Sequence, residues 1–182
     1  MEYYILFEGI IDQSNSKKLA DAILAIATLN NPPIDKIHIL MSSMGGNIYH
    51  GFSLAAIIKN SKVPVAIHAT NEIDSIANVI FVAAKERTAE SYAKFYMHGS
   101  TSAPMGFDVK GLLEQLSSVK THNSRTTHFM SENTGLPLEK IQKMMRVGAS
   151  MSAQEALNLG WISAIVHKEV PVGALRYDII SI

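Results

Sequence analysis

Two side chains in this sequence could share a proton and attack a carbonyl carbon. Ser75 stands between a polar stretch, Asn71-Glu72-Ile73-Asp74, and an apolar run from Ile76 to Ala84 that reads as a buried helix. A hydroxyl at that junction faces the N–H groups and positive dipole end of the helix, where a developing oxyanion is stabilised. A serine in such a place is more often a plain N-cap, and Asp74 competes for that role. His98 follows an apolar strand, Ala93 to Met97, and precedes Gly99-Ser100-Thr101, which suits a general base; an edge-strand histidine is the plainer reading. Gly45-Gly46 falls between a strand and a helix. Backbone without Cβ can approach a ligand there and aim N–H groups at an anion, although a tight turn looks the same.

The other histidines read as structural. His38 and His68 lie inside strand patterns, and His122 and His128 lie in a long helix without metal-binding spacing. No His-Glu-x-x-His motif occurs, so no structural metal is expected. The chain has 182 residues and no cysteine, which excludes disulfides, thiol catalysis and cysteine-ligated metal. Lys and Arg total 16 and Asp and Glu total 16, with no basic run, so binding of nucleic acid through bulk charge is not expected. With 47% apolar and 18% charged residues the chain can build a full core, and a single domain over 1–182 is expected. Met1-Glu2-Tyr3-Tyr4 lacks the pattern of a secretory signal, and no apolar run reaches the ~18 residues of a membrane span. A cytoplasmic location is expected.

The elements that must position Ser75 and His98 alternate between strand and helix, which predicts an α/β chain. Strands are expected at Tyr3 to Ile11, Lys36 to Met41, Val63 to Ala69, Arg87 to Ala89, Ala93 to Met97 and Trp161 to Val166. Helices are expected from Leu19 to Leu29, stopped by Asn30-Asn31-Pro32-Pro33, from Ile48 through Ala56, and from Ser75 to Ala84. The longest helix is expected over 106–133, with Gly135 at its C′ position. Pro137 opens a shorter one, and Ser152 with Glu155 forms a capping box. The tail after Val166 carries Ile179, Ile180 and Ile182, suited to packing on its own core or on a neighbour.

Taken in order, these places resemble the proteolytic subunit of the Clp protease, a family of ClpP-like serine peptidases. Ser43-Met44-Gly45-Gly46 matches the family's Ser-Pro-Gly-Gly turn with Met44 for proline, and Ser75 matches the nucleophile that opens a buried helix. Tyr96-Met97-His98 matches the strand that ends in the catalytic histidine; Thr134-Gly135, Ser152-Ala153-Gln154-Glu155-Ala156 and Gly160-Trp161-Ile162 match later motifs. The similarity runs from about Ile5 to Val166. It implies the ClpP/crotonase-like fold of repeated β-β-α units with a protruding long helix. It also implies Ser75 as nucleophile, His98 as base, an oxyanion hole from the N–H groups of Gly46 and Ile76, and no cofactor. The implied substrate is an unfolded polypeptide or peptide, and the implied partner is the chain itself in a seven-membered ring, stacked in pairs through the long helix.

The sequence departs from the family in three places. The family's catalytic acid lies four residues before the Ser-Ala motif, and counting back from Ser152 gives Gly148. Asp108, Glu132, Ser150, a backbone carbonyl or water could orient His98 instead. Asp74 brings a charge next to the nucleophile that would oppose an oxyanion if it pointed inward. The chain begins almost at its first core strand, and the expectation is against docking of an AAA+ unfoldase. The alternative readings are a catalytically degenerate structural or regulatory subunit and a crotonase-like acyl-CoA enzyme. Labelling by a fluorophosphonate separates the first from an active hydrolase; retention on a CoA column would favour the second.

Overall fold

The computed structural model describes residues 1–29, 33–102 and 108–181. In chain order it places β1 (Glu2–Glu8), α1 (Gln13–Ile26), β2 (Lys36–Ser43), α2 (Ile48–Asn60), β3 (Val65–Asp74), α3 (Ala77–Ala83) and β4 (Glu86–Ala89). There follow β5 (Lys94–Met97), α4 (Val109–Thr134), α5 (Leu138–Val147), β6 (Ala149–Ser152), α6 (Ala153–Asn158), β7 (Ala164–Ile165) and β8 (Leu175–Ile180). The strands form one eight-stranded sheet in the order β6-β5-β3-β2-β1-β8, with β4 and β7 branching from β3. The β1–β2 and β2–β3 pairs are parallel, as their nearly continuous apolar sequences require of strands covered on both faces. Ile5, Phe7, Ile37, Ile39, Met41 and Ile67 turn one face into the core, where α3 is buried along its whole length.

The third strand is longer than its apolar pattern suggests. Its first half pairs with β4 and its second half, Glu72 to Asp74, with β5, so β3 forks the sheet. The polar residues beyond the expected strand end at Ala69 continue the strand, pairing with β5, where Lys94 reaches Glu72 at 3.2 Å and Asp74 at 3.1 Å. The fork carries the chain directly into Ser75 and places the end of β5, hence His98, beside it.

Other expectations shift at the ends. The first strand stops at Glu8, and Ile11 keeps only an isolated bridge to Gly46. The helix after it stops at Ile26; Asn30 to Pro32 of its expected stop lie outside the described residues. The strand expected at Trp161 to Val166 contracts to β7, because Trp161 and Ile162 turn down into the core instead of pairing. The tail packs on its own core: β8 pairs in parallel with β1 and buries Ile179, while Ile182 lies outside the described residues.

The long helix has two unlike halves. Its described part starts at Val109, capped by the Asp108 carboxylate accepting from the Gly111 N–H at 2.7 Å; Gly106 lies outside the described residues. Its C-terminal half is clamped to α2. Phe129 meets Phe52 edge to face at 5.6 Å, the Arg125 guanidinium lies 3.6 Å over the Phe52 ring, and Lys59 donates to the Asn133 side chain at 2.8 Å. Its N-terminal half leaves Val109, Leu112, Leu113 and Leu116 exposed on one stripe. Gly135 ends it in the left-handed conformation, as expected.

Candidate active site

Ser75 is the one non-glycine among the described residues with a left-handed backbone, at φ 55°. Such a conformation is disfavoured for a residue with a Cβ and persists only where neighbours impose it. Hydrogen bonds from two residues do so. The Ser75 N–H donates to the Tyr96 carbonyl at 2.8 Å, and the Asn78 amide donates to the carbonyls of Ile73 and Tyr96, each at 2.9 Å. The plain N-cap reading of Ser75 is not realised. The N-cap of α3 is Ile76, and no side chain caps that helix.

The glycine pair presses against this turn. A Cβ on Gly45 would stand 2.7 Å from both the Asp74 carbonyl and the Ser75 Cβ, and one on Gly46 would stand 2.5 Å from the Ile11 carbonyl. Both glycines have positive φ, 90° and 146°. Close approach and backbone conformation therefore each require glycine. The N–H groups of Gly46 and Ile76 donate to no other described residue, whereas the flanking Asn47 and Ser75 N–H groups are bonded to backbone carbonyls.

His98 leaves the end of β5 in a loop held from two sides. The Gly99 N–H donates to the Met145 carbonyl at 3.0 Å, and the Ser100 N–H to the Asn123 side chain at 2.7 Å. The imidazole Nδ1 lies 2.7 Å from the Gly99 carbonyl. A carbonyl can only accept, so Nδ1 is the protonated nitrogen of the neutral ring and Nε2 keeps its lone pair. Of the groups expected to orient His98, the backbone carbonyl does so. Asp108 is occupied in capping α4, Glu132 lines a separate surface groove with Lys59 and Arg125, and Ser150 is exposed on β6 across from Tyr96. Gly148 closes α5 at φ 69°.

Ser75, His98, Gly46 and Ile76 all line one cavity of about 390 Å³. Its floor is apolar, from Val79, Met97, Met130 and Met145, and its wall includes Tyr49 and His122. Among the described residues no hydrogen bond joins Ser75 to His98. Asp74 does not line the cavity. Burial pushes its carboxyl up from the ordinary range, and the ion pair with Lys94 on the strand side only partly opposes this. The carboxylate next to the nucleophile is thus only half paired: Oδ2 meets Lys94, whereas Oδ1 is buried without a hydrogen-bond partner and the group lies within electrostatic reach of His98.

Four contributors were not singled out from the sequence. His122, read as a structural helix residue, faces the cavity with its Nε2 3.4 Å from the Tyr49 hydroxyl. Asn123 holds the loop after His98, and Tyr96 joins both chemical groups through its carbonyl and ring. Asn78 carried a usable signal, since it is the one polar side chain within α3.

Comparison with known proteins bears on the family and the fold. The model of the family described as Clp protease matches residues 2–169. An ATP-dependent Clp protease proteolytic subunit 3 of Rhizobium etli is 28% identical over 170 residues, spanning 92% of this chain and 86% of the relative. The corresponding subunit of Paracoccus denitrificans is 25% identical over 165 residues, spanning 90% and 81%. Among solved structures, a point mutant of ClpP1 from Listeria monocytogenes superposes with a TM-score of 0.81 at 21% identity, covering 91% of each chain.

Proposed function

This chain belongs to the Clp protease family, and we propose that it is a serine endopeptidase subunit in which Ser75 and His98 form the working couple. The observation that supports this most is the placement of Ser75: a strained serine, unused as a cap, on the same cavity as a histidine whose Nε2 lone pair is open. In this reading an extended peptide pairs with backbone near Gly46 and with the loop after His98. His98 Nε2 accepts the Ser75 proton as Oγ attacks the scissile carbonyl, and the N–H groups of Gly46 and Ile76 receive the oxyanion. His98 then gives the proton to the leaving amine, and water releases the acyl group by the same steps in reverse. The Gly99 carbonyl keeps the histidine in the required tautomer. It lacks the full charge with which an aspartate stabilises imidazolium. In serine proteases the loss of that acid alone lowers turnover by about 10⁴-fold yet leaves measurable catalysis. Slow turnover is the expected behaviour.

Self-association is part of the proposal. The exposed stripe Val109, Leu112, Leu113 and Leu116 on α4 supports a ring-forming oligomer that stacks through this helix. No helix among the described residues is long and apolar enough to cross a membrane. A second reading, an inert structural or regulatory subunit, is favoured by the missing bond between Ser75 and His98 and by Gly148. Cleavage of an unstructured fluorogenic peptide decides between them. Activity lost in Ser75→Ala supports the peptidase; activity equal in both proteins discards the serine mechanism, and none in either supports the inert subunit.

A further inference from the structure

We propose that Tyr96 is the positioning residue of His98, and that Gly148 is glycine to leave room for it. Residues 96 and 98 emerge on the same side at the end of β5, and their rings stack with centroids 5.4 Å apart and planes 23° from parallel. A Cβ built on Gly148 would stand 3.0 Å from the Tyr96 hydroxyl oxygen, 3.6 Å from Cε2 and 3.7 Å from Cζ. The hydroxyl is the obstacle, because the two ring-carbon distances are ordinary contacts. A side chain at 148 therefore presses on the tyrosine hydroxyl by a few tenths of an ångström, and in this assignment the ring passes that displacement to the imidazole stacked on it. The backbone at 148 does not by itself demand glycine alone, since Asp and Asn also enter the left-handed region. The Tyr96 carbonyl meanwhile holds the Ser75 N–H. One residue thus ties the hydroxyl-bearing turn to the base.

The arrangement divides the usual work of a carboxylate. The Gly99 carbonyl selects the tautomer, and the Tyr96 ring fixes the plane of the imidazole. The same ring offers its π face to the imidazolium once a proton is taken up. This assignment rests on the proposed couple of Ser75 and His98, but the state of the histidine can be read without any activity.

The test combines nitrogen NMR of ¹⁵N-histidine-labelled protein with the pH profile of fluorophosphonate labelling. In the parent protein the His98 signals, assigned with His98→Gln, report the Nδ1–H form. Tyr96→Leu fills the volume without an aromatic face; its His98 becomes a mixture of tautomers, its pH profile departs from the parent's, and its labelling slows at least tenfold. Tyr96→Phe retains the parent tautomer and most of the labelling rate. Gly148→Ala slows labelling, and this loss shrinks severalfold when Tyr96→Phe is combined with it, because the obstructing hydroxyl is gone. Unfolding temperatures confirm that each variant is folded. A parent-like tautomer and pH profile in Tyr96→Leu, or a Gly148→Ala defect of the same size in the Tyr96→Phe background, overturns the assignment. If the parent protein is not labelled at all, the peptidase reading fails, and the NMR comparison alone decides the role of Tyr96.

Discussion

His68 and His98 have opposite surroundings. His68, buried in β3, has Nδ1 2.8 Å from the Thr88 hydroxyl and Nε2 3.2 Å from the Glu90 carboxylate. That carboxylate also takes the Lys168 N–H and the His167 ring, each at 3.1 Å. Hydroxyl, imidazole and acid are all present, yet none of the three lines the cavity beside Ser75. Among the described residues His98 has no hydrogen-bonded acid and a partner on only one nitrogen, yet it borders that cavity with a strained serine. A buried polar network with every member bonded stabilises and rigidifies a fold. Chemistry needs the reverse: an unsatisfied lone pair, room for a substrate, and idle N–H groups where charge will develop. The trio of residue types is thus a poorer guide to function than what remains unbonded around them.

Disabling each hydroxyl–histidine neighbourhood in turn is the harshest way to break this contrast. His98→Ala should lower peptide hydrolysis by at least about 10³-fold, as removal of a catalytic base does in serine proteases. Thr88→Val should leave kcat/KM within about threefold, the chain being folded in both cases by circular dichroism. A large loss of hydrolysis from Thr88→Val would move the working site to the other histidine.

The next effect is on stability. Glu90→Ala strands His68 and the Lys168 N–H together, and should cost about 2–3 kcal/mol in urea unfolding, the penalty for unpaired buried polar groups. His98→Ala should cost less than about 1 kcal/mol, since His98 is only partly buried.

The comparison also predicts a pH dependence of stability. Burial holds His68 below the ordinary histidine range and outweighs the Glu90 bond that opposes it; His38 is lowered in the same way, with its bond to Glu2 opposing. The unfolded chain therefore binds more protons near pH 6, and stability rises with pH through this window. It is fully present above about pH 6.5 and is lost as pH falls toward the lowered native values. His167, raised chiefly by Glu90, acts oppositely, stabilising at low pH and losing that contribution as pH rises through its native value. A melting temperature that falls between pH 7.5 and 5.5, and falls less in His68→Gln, is expected. A flat profile would contradict the burial argument.

The smallest effect concerns backbone strain. Ser75→Gly removes the Cβ from a left-handed residue and should gain up to about 1 kcal/mol relative to Ser75→Ala in thermal unfolding. Equal stabilities would mean that the turn holds Ser75 without strain.

The sequence shows why some of this was legible. Ser75, His98 and the glycine pair stand at ends of strongly periodic elements, so their types and order were informative even without coordinates. The capping box at Ser152 and the glycine after the long helix are local signals, and both hold. The extension of β3 through Asp74 was not legible, because its polar side chains meet Lys94 on another strand. Strand β8, by contrast, was legible and missed. Leu175-Arg176-Tyr177-Asp178-Ile179 does alternate apolar with polar residues, a strand signal that reading the tail only for its isoleucines passes over, and pairing with β1 realises it. Tyr96 looked like a core strand residue; its role depends on the empty space at Gly148, which no local pattern announces.

The central claim is that Ser75 is a nucleophile made competent by His98. Intact-mass analysis after exposure to a fluorophosphonate, followed by peptide mapping, addresses it directly. The account predicts a single adduct on the peptide containing Ser75, absent from Ser75→Ala and slowed at least a hundredfold in His98→Ala. An unmodified protein, or an adduct on any other serine, would contradict it.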